Sequence, residues 1–128
     1  MDKLPNILVN IIPHNCQKYS TAGNYGSLND TWWLEITKMK DWRHSYLVMM
    51  HELVEMALTV NENIPWEDID KFDIEGEGKD HPDPGTLNTA PYYLQHKFAT
   101  LIEEHLASML GVDWNEYNKA LDELEYKK

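Results

Sequence analysis

The chain is short of the features that mark secreted, membrane-spanning or nucleic-acid-binding proteins. It has one cysteine, Cys16, in 128 residues. No internal disulfide can form, and a reducing, cytoplasmic setting is expected. No apolar run comes near the ~20 residues that span a bilayer. The start, Met1-Asp2-Lys3-Leu4-Pro5, lacks the basic and apolar stretches of a signal peptide. Lysine and arginine together number 11 against 22 acidic residues, a formal net charge of −11. That sign argues against nucleic acid and anionic membranes as partners. It would favour cationic substrates or partners, although acidity also serves plain solubility. There is no internal repeat and no low-complexity tract. Length and composition fit one domain, residues 1–128, with a core of its own.

What the chain does have is centred on residues 46–58, a helical stretch in which apolar residues surround His51, Glu52 and Glu55. At about 100° per residue, His51 and Glu55 lie one turn apart on one face, with Glu52 beside them. Met49, Leu53, Met56 and Val60 form an apolar stripe on the opposite side. A helix apolar on both sides is buried, so His51 and Glu55 are expected to be buried too. Buried charge demands partners, and a metal ion is one common partner.

Around this helix the chain reads as α+β. Residues 6–12 are β-branched, stop at Pro13 and predict a strand. Residues 16–30, polar around Ala22-Gly23-Asn24-Tyr25-Gly26, read as a turn or irregular hairpin. Residues 31–39 alternate, with Trp32, Leu34 and Ile36 on one side, and predict a second strand. Asp41 can cap the central helix, from Trp42 to about residue 61. A short helix with Pro65 in its first turn follows, then a Gly- and Pro-containing loop over 76–86. Asn88 or Thr89 is expected to cap the second long helix, with Pro91 near its first turn and Gly111 as its stop. Asp113-Trp114-Asn115-Glu116 has capping-box spacing and opens a last helix. The expected fold is a small N-terminal sheet packed on two long helices plus shorter ones.

The second long helix has the same double character. Leu94, Phe98, Leu101, Ile102 and Met109 share one apolar face, while His96 and Glu103 are nearly aligned on the other. With the two long helices side by side, His51, Glu55, His96 and Glu103 converge on one point. Imidazole nitrogens and carboxylate oxygens suit zinc, and also iron or manganese. The plain alternative is a set of hydrogen-bonded pairs that stabilise the core. Asp80-His81-Pro82-Asp83 reads as a solvated turn.

His51-Glu52-Leu53-Val54-Glu55 resembles the active-site helix of zincin metallopeptidases, whose pattern is His-Glu-x-x-His. The resemblance implies His51 as a metal ligand and Glu52 as general base. Glu55 stands where the second His belongs, and His96 or Glu103 matches the later ligand. It also implies a peptide or protein substrate. In zincins an edge strand holds the extended peptide, and residues 31–39 fit that position. The layout with Gln95-His96 and Gly111-Val112-Asp113-Trp114 is also similar to small phage and bacterial proteins, a likeness that supplies no function. Two other classes stay open. One is a non-catalytic interaction protein with a structural or vestigial His/Glu cluster. The other is a carboxylate di-metal protein using Glu52, Glu55 and Glu103, although that class carries Glu-x-x-His and neither long helix does.

Overall fold

The computed structural model describes residues 3–81 and 83–127. Its architecture is α+β, a small sheet followed by helices, as expected. Strands β1 (Asn6–Ile12), β2 (Gly23–Leu28) and β3 (Thr31–Thr37) form one sheet in the order β1-β3-β2. β1 runs parallel to β3 and β2 antiparallel to it. The alternation of β3 holds: Trp32, Leu34 and Ile36 are buried against the helices.

Two expectations for this region need correction. Residues 16–30 contain a full strand, β2, which pairs residue by residue with β3. Its sequence, Gly-Asn-Tyr-Gly-Ser-Leu, has no apolar alternation, and its place comes from pairing. Gly26 lies opposite Trp33, and a Cβ there would sit 2.4 Å from the indole ring, so the glycine is what lets the ring cover the strand. The second correction concerns β3. It is the central strand, with both edges occupied, so it cannot present an edge to an extended peptide. The edges belong to β1 and β2.

Helix α1 (Trp42–Asn61) lies across the sheet, with Leu47 and Met56 packed on Leu34 and Ile36, all fully buried. Its entry is fixed twice. The Asp41 side chain accepts from the Arg43 N–H at 3.0 Å. Ser45 Oγ accepts from Met39 N–H (2.9 Å) and donates to the Thr37 carbonyl (3.0 Å), which ties the end of β3 to the first turn of the helix. α2 (Trp66–Ile74) follows, with Pro65 as its N-cap.

Helix α3 (Tyr93–Met109) runs antiparallel to α1: Arg43 donates to the Leu110 carbonyl at one end, and Glu55 meets His96 at the other. It starts later than expected. Tyr92 is its N-cap, and Thr89 instead donates to Glu77 at 2.8 Å. Its polar face turns to α1, as the convergence of His96 and Glu103 on His51 and Glu55 requires, and its apolar face is left to solvent. Leu94, Phe98, Leu101 and Met109 face outward, between 50% and 86% exposed. The side turned to α1 carries Ala99, Glu103 and Ala107. Small residues allow the helix axes to approach closely, and that approach carries Glu103 to His51. Among the described residues no helix is long and apolar enough to cross a membrane.

The end of α3 is as predicted. Gly111 has φ +71°, Val112 N–H bonds to the Ala107 carbonyl (2.9 Å) and Gly111 N–H to the Ser108 carbonyl (3.2 Å). This is a Schellman closure, and it aims α4 (Trp114–Lys127) back at the cluster. Asp113 caps α4 through the Glu116 N–H at 2.9 Å, and Tyr117 in its first turns is fully buried. A Cβ at Gly111 would touch nothing within 4 Å, so Gly111→Ala tests the backbone conformation alone. It is expected to cost about 1 kcal/mol in urea denaturation. An unchanged midpoint would contradict the closure.

Candidate metal centre

His51 and Glu55 project from α1 and His96 from the first turn of α3, into the gap between the two helices. His51 Nε2 lies 3.0 Å from Glu55 Oε2 and 3.1 Å from His96 Nδ1, and His96 Nδ1 lies 2.8 Å from the same Glu55 oxygen. These three residues form a buried group that could hold a metal ion. Their side chains are 9%, 6% and 11% exposed, so little water competes for the site.

The outer atoms of each residue are held by the fold. His51 Nδ1 is 2.7 Å from Glu103 Oε1, whose other oxygen accepts from the Tyr117 hydroxyl. His96 Nε2 is 3.2 Å from Asp83 Oδ1. Glu55 Oε1 accepts from the Tyr25 hydroxyl at 2.8 Å. Carboxylates only accept, so the outer nitrogen of each imidazole carries a hydrogen. With neutral imidazoles, two nitrogen lone pairs and one carboxylate oxygen then face one another with no donor between them. Such a set calls for a cation. An ion with four donors at about 2.1 Å holds them about 3.4 Å apart, so these atoms need to part by only some tenths of an ångström. The donor set fits zinc, and an imidazole whose far N–H is given to a carboxylate is the usual support of a ligating histidine.

In the chain by itself, protons fill that role. Burial opposes a charged His51, but the hydrogen bonds to Glu103 and Glu55 outweigh it and raise the imidazole well above its ordinary range. Burial likewise opposes a charged His96, yet Asp83 and Glu55 lift it to about 9. Burial pushes Glu55 upward, and the two histidines hold it down at about 2. An ion therefore enters by displacing protons.

Of the four ligands expected from the sequence, three are brought together and Glu103 is not among them. It sits on the far side of the His51 ring, with one oxygen on Nδ1 and the other on Tyr117. Asp83, Tyr25 and Tyr117 were not expected at the site. Asp83 comes from the loop read as a solvated turn, of which Pro82 lies outside the described residues. The 3-10 turn Pro84–Thr86 follows it. A Cβ at Gly85 would lie 2.5 Å from His96 Cγ, so this loop rests flat on the imidazole.

Glu52 stands beside the triad and opens into a cleft of about 350 Å³ between α2, β2 and the long helices. Gly23 of β2 presses on it: an added Cβ would lie 2.6 Å from Glu52 Cγ. Among the described residues no group donates to its carboxyl. Burial, then the charge of Glu55, raises it to about 8. The folded chain thus holds a proton that the unfolded chain loses above about 4.5, and stability falls as pH rises from there to about 8. Removing the acid should reverse that loss. Glu52→Gln is expected to stabilise the metal-free chain by on the order of a few kcal/mol at pH 9 and by little at pH 5. Equal shifts in melting temperature at the two pH values would rule out a protonated Glu52 in the folded chain.

The chain matches no family model, no curated protein and no solved structure.

Proposed function

We propose that this protein is a zincin-like, metal-dependent hydrolase acting on peptides, with His51, Glu55 and His96 as metal ligands and Glu52 as general base. The observation that carries the reading is the convergence of two imidazole nitrogens and one carboxylate oxygen within 3.1 Å, each braced from behind. The order along the helix, ligand, base, then ligand one turn on, supports it as well. Zinc is the first choice of metal, with iron or manganese suited to the same donors. A zinc ion supplies Lewis acidity, which polarises a carbonyl and eases ionisation of water. The chain's own residues do the rest. Glu52, with no donor among the described residues and a path to the cleft, is free to take and return a proton. Nearby positive charge would lower its carboxyl from about 8 towards the neutral range, where a base works best. Tyr25, Asp83 and Glu103 keep the ligands in place, so Glu103 is read as a support for His51.

The test is to strip the protein with chelator, reload it with zinc, iron(II) or manganese, and follow cleavage of a mixed peptide library by mass spectrometry. Cleavage that disappears with chelator and returns with metal is expected. A loaded, folded protein that cuts no peptide would overturn the reading. One observation favours a second reading, an interaction protein with a structural cluster: the exposed ridge of Leu94, Phe98, Leu101 and Met109 on α3. A di-metal centre has no such support, since Glu52 and Glu103 stand outside the triad.

A further inference from the structure

We infer that the cleft beside the triad takes a cationic side chain of the substrate, held between Asp70 and Asp73 of α2 and the aromatic rings of Trp66, Tyr25 and Tyr19. This inference rests on the hydrolase reading and names the substrate class of the same site.

Helical spacing puts Trp66, Asp70 and Asp73 on one face of α2, and all three line the cleft. The wall is fixed. Trp66 donates through Nε1 to Ser27 Oγ at 3.0 Å, and its ring meets Tyr25 edge-on with centroids 5.6 Å apart. Each aspartate is oriented through a single oxygen. Tyr19 donates to Asp70 Oδ1 at 3.3 Å, and Tyr92 donates to Asp73 Oδ1 at 2.7 Å. Among the described residues neither Oδ2 has a donor, and neither aspartate has an ion-pair partner. Two carboxylate oxygens beside aromatic faces are the chemistry that binds a guanidinium or ammonium.

Further observations favour positive charge there. Among the described residues the cleft is lined by six acids but only one lysine or arginine, Lys18. Three of the acids, Glu55, Asp83 and Glu103, are matched by the two histidines, while Glu52, Asp70 and Asp73 are not. Glu52, half-buried and without a donor among the described residues, lines the same cleft. The one cation of the lining already sits on an aromatic face: Lys18 Nζ lies 5.2 Å from the centroid of the Tyr19 ring. Burial, against the Tyr92 hydrogen bond, raises Asp73 to about 6, the behaviour of a carboxyl that lacks a cation. The net charge of −11 would draw basic peptides towards this cleft.

The experiment uses acetyl-Ala-Ala-Arg-Ala-Ala-amide and the same peptide with citrulline, a neutral isostere, in place of arginine. Binding to the zinc-treated full chain is measured by calorimetry, and cleavage of both peptides is followed separately. The arginine peptide should bind at least about tenfold tighter, with a preference that shrinks as salt rises. In Asp70→Asn/Asp73→Asn the two peptides should bind within about twofold of each other. If the double variant misfolds, Asp70→Asn alone, at an exposed position, should still lower the preference about threefold. Equal binding of the two peptides, binding of neither, or a preference that survives the substitutions overturns the subsite. Arginine preference without cleavage would sink the hydrolase and leave the subsite, whereas cleavage without preference would do the reverse.

Discussion

His51→Ala is expected to weaken zinc binding by about a thousandfold or more, because it removes one of three ligands and the link between Glu55 and Glu103. Glu103→Gln should behave differently. It keeps an oxygen for the His51 Nδ1–H, but an amide meets the Tyr117 hydroxyl less well than a carboxylate. The loss there should be roughly 10- to 100-fold, the range for a group that orients a ligand. Removing one partner from a buried charged pair also destabilises, by about 3–5 kcal/mol. Metal affinity must therefore be read beside near-ultraviolet circular dichroism, with His51→Gln as a milder substitute. Should Glu103→Gln lose the metal as completely as His51→Ala, Glu103 would be a ligand and the four-ligand expectation would return.

The second large effect is on turnover. Glu52→Gln should keep the metal and lower peptide cleavage by about 10²- to 10⁴-fold, since the amide fills the same space and accepts no proton. Gly23→Ala approaches the same residue from outside. Its methyl would lie 2.6 Å from Glu52 Cγ, so the carboxyl has to move while the triad stays. Metal content should be unchanged and kcat reduced. Metal analysis and steady-state kinetics on the same preparations separate the outcomes. A Glu52→Gln protein that retains both metal and full turnover would remove Glu52 from the chemistry.

Much of the frame was legible because periodicity is local. The alternation of β3 and the Asp41, Gly111 and Asp113 end signals place α1, the end of α3 and α4 almost to the residue. β2 was hidden because its glycines and polar residues earn their place only opposite β3. On α3 both faces were legible, and packing between the helices adds which one is covered. Periodicity shows that a face is apolar, but the small residues Ala99 and Ala107 decide which face packs.

At the site, helical phase could bring His51, Glu55, His96 and Glu103 to one gap. It could not say which edge of the His51 ring Glu103 would meet, because that depends on the spacing between helices. Asp83 and Gly85 reach His96 through a loop with no periodicity to read. Tyr25 gives a physical reason for Glu55, where the zincin pattern has a second histidine. A carboxylate can turn one oxygen inward and offer the other to the tyrosine.

The central claim is that two histidine nitrogens and a Glu55 oxygen form one metal site that protons occupy when the ion does not. Calorimetric titration of chelator-treated protein with zinc, near pH 7 in buffers of different ionisation enthalpy, tests it directly. About one ion per chain should bind with a dissociation constant below about a micromolar, releasing close to two protons, and His96→Ala should abolish the tight phase. Binding only in the millimolar range, or tight binding that releases no protons and survives His96→Ala, would contradict it.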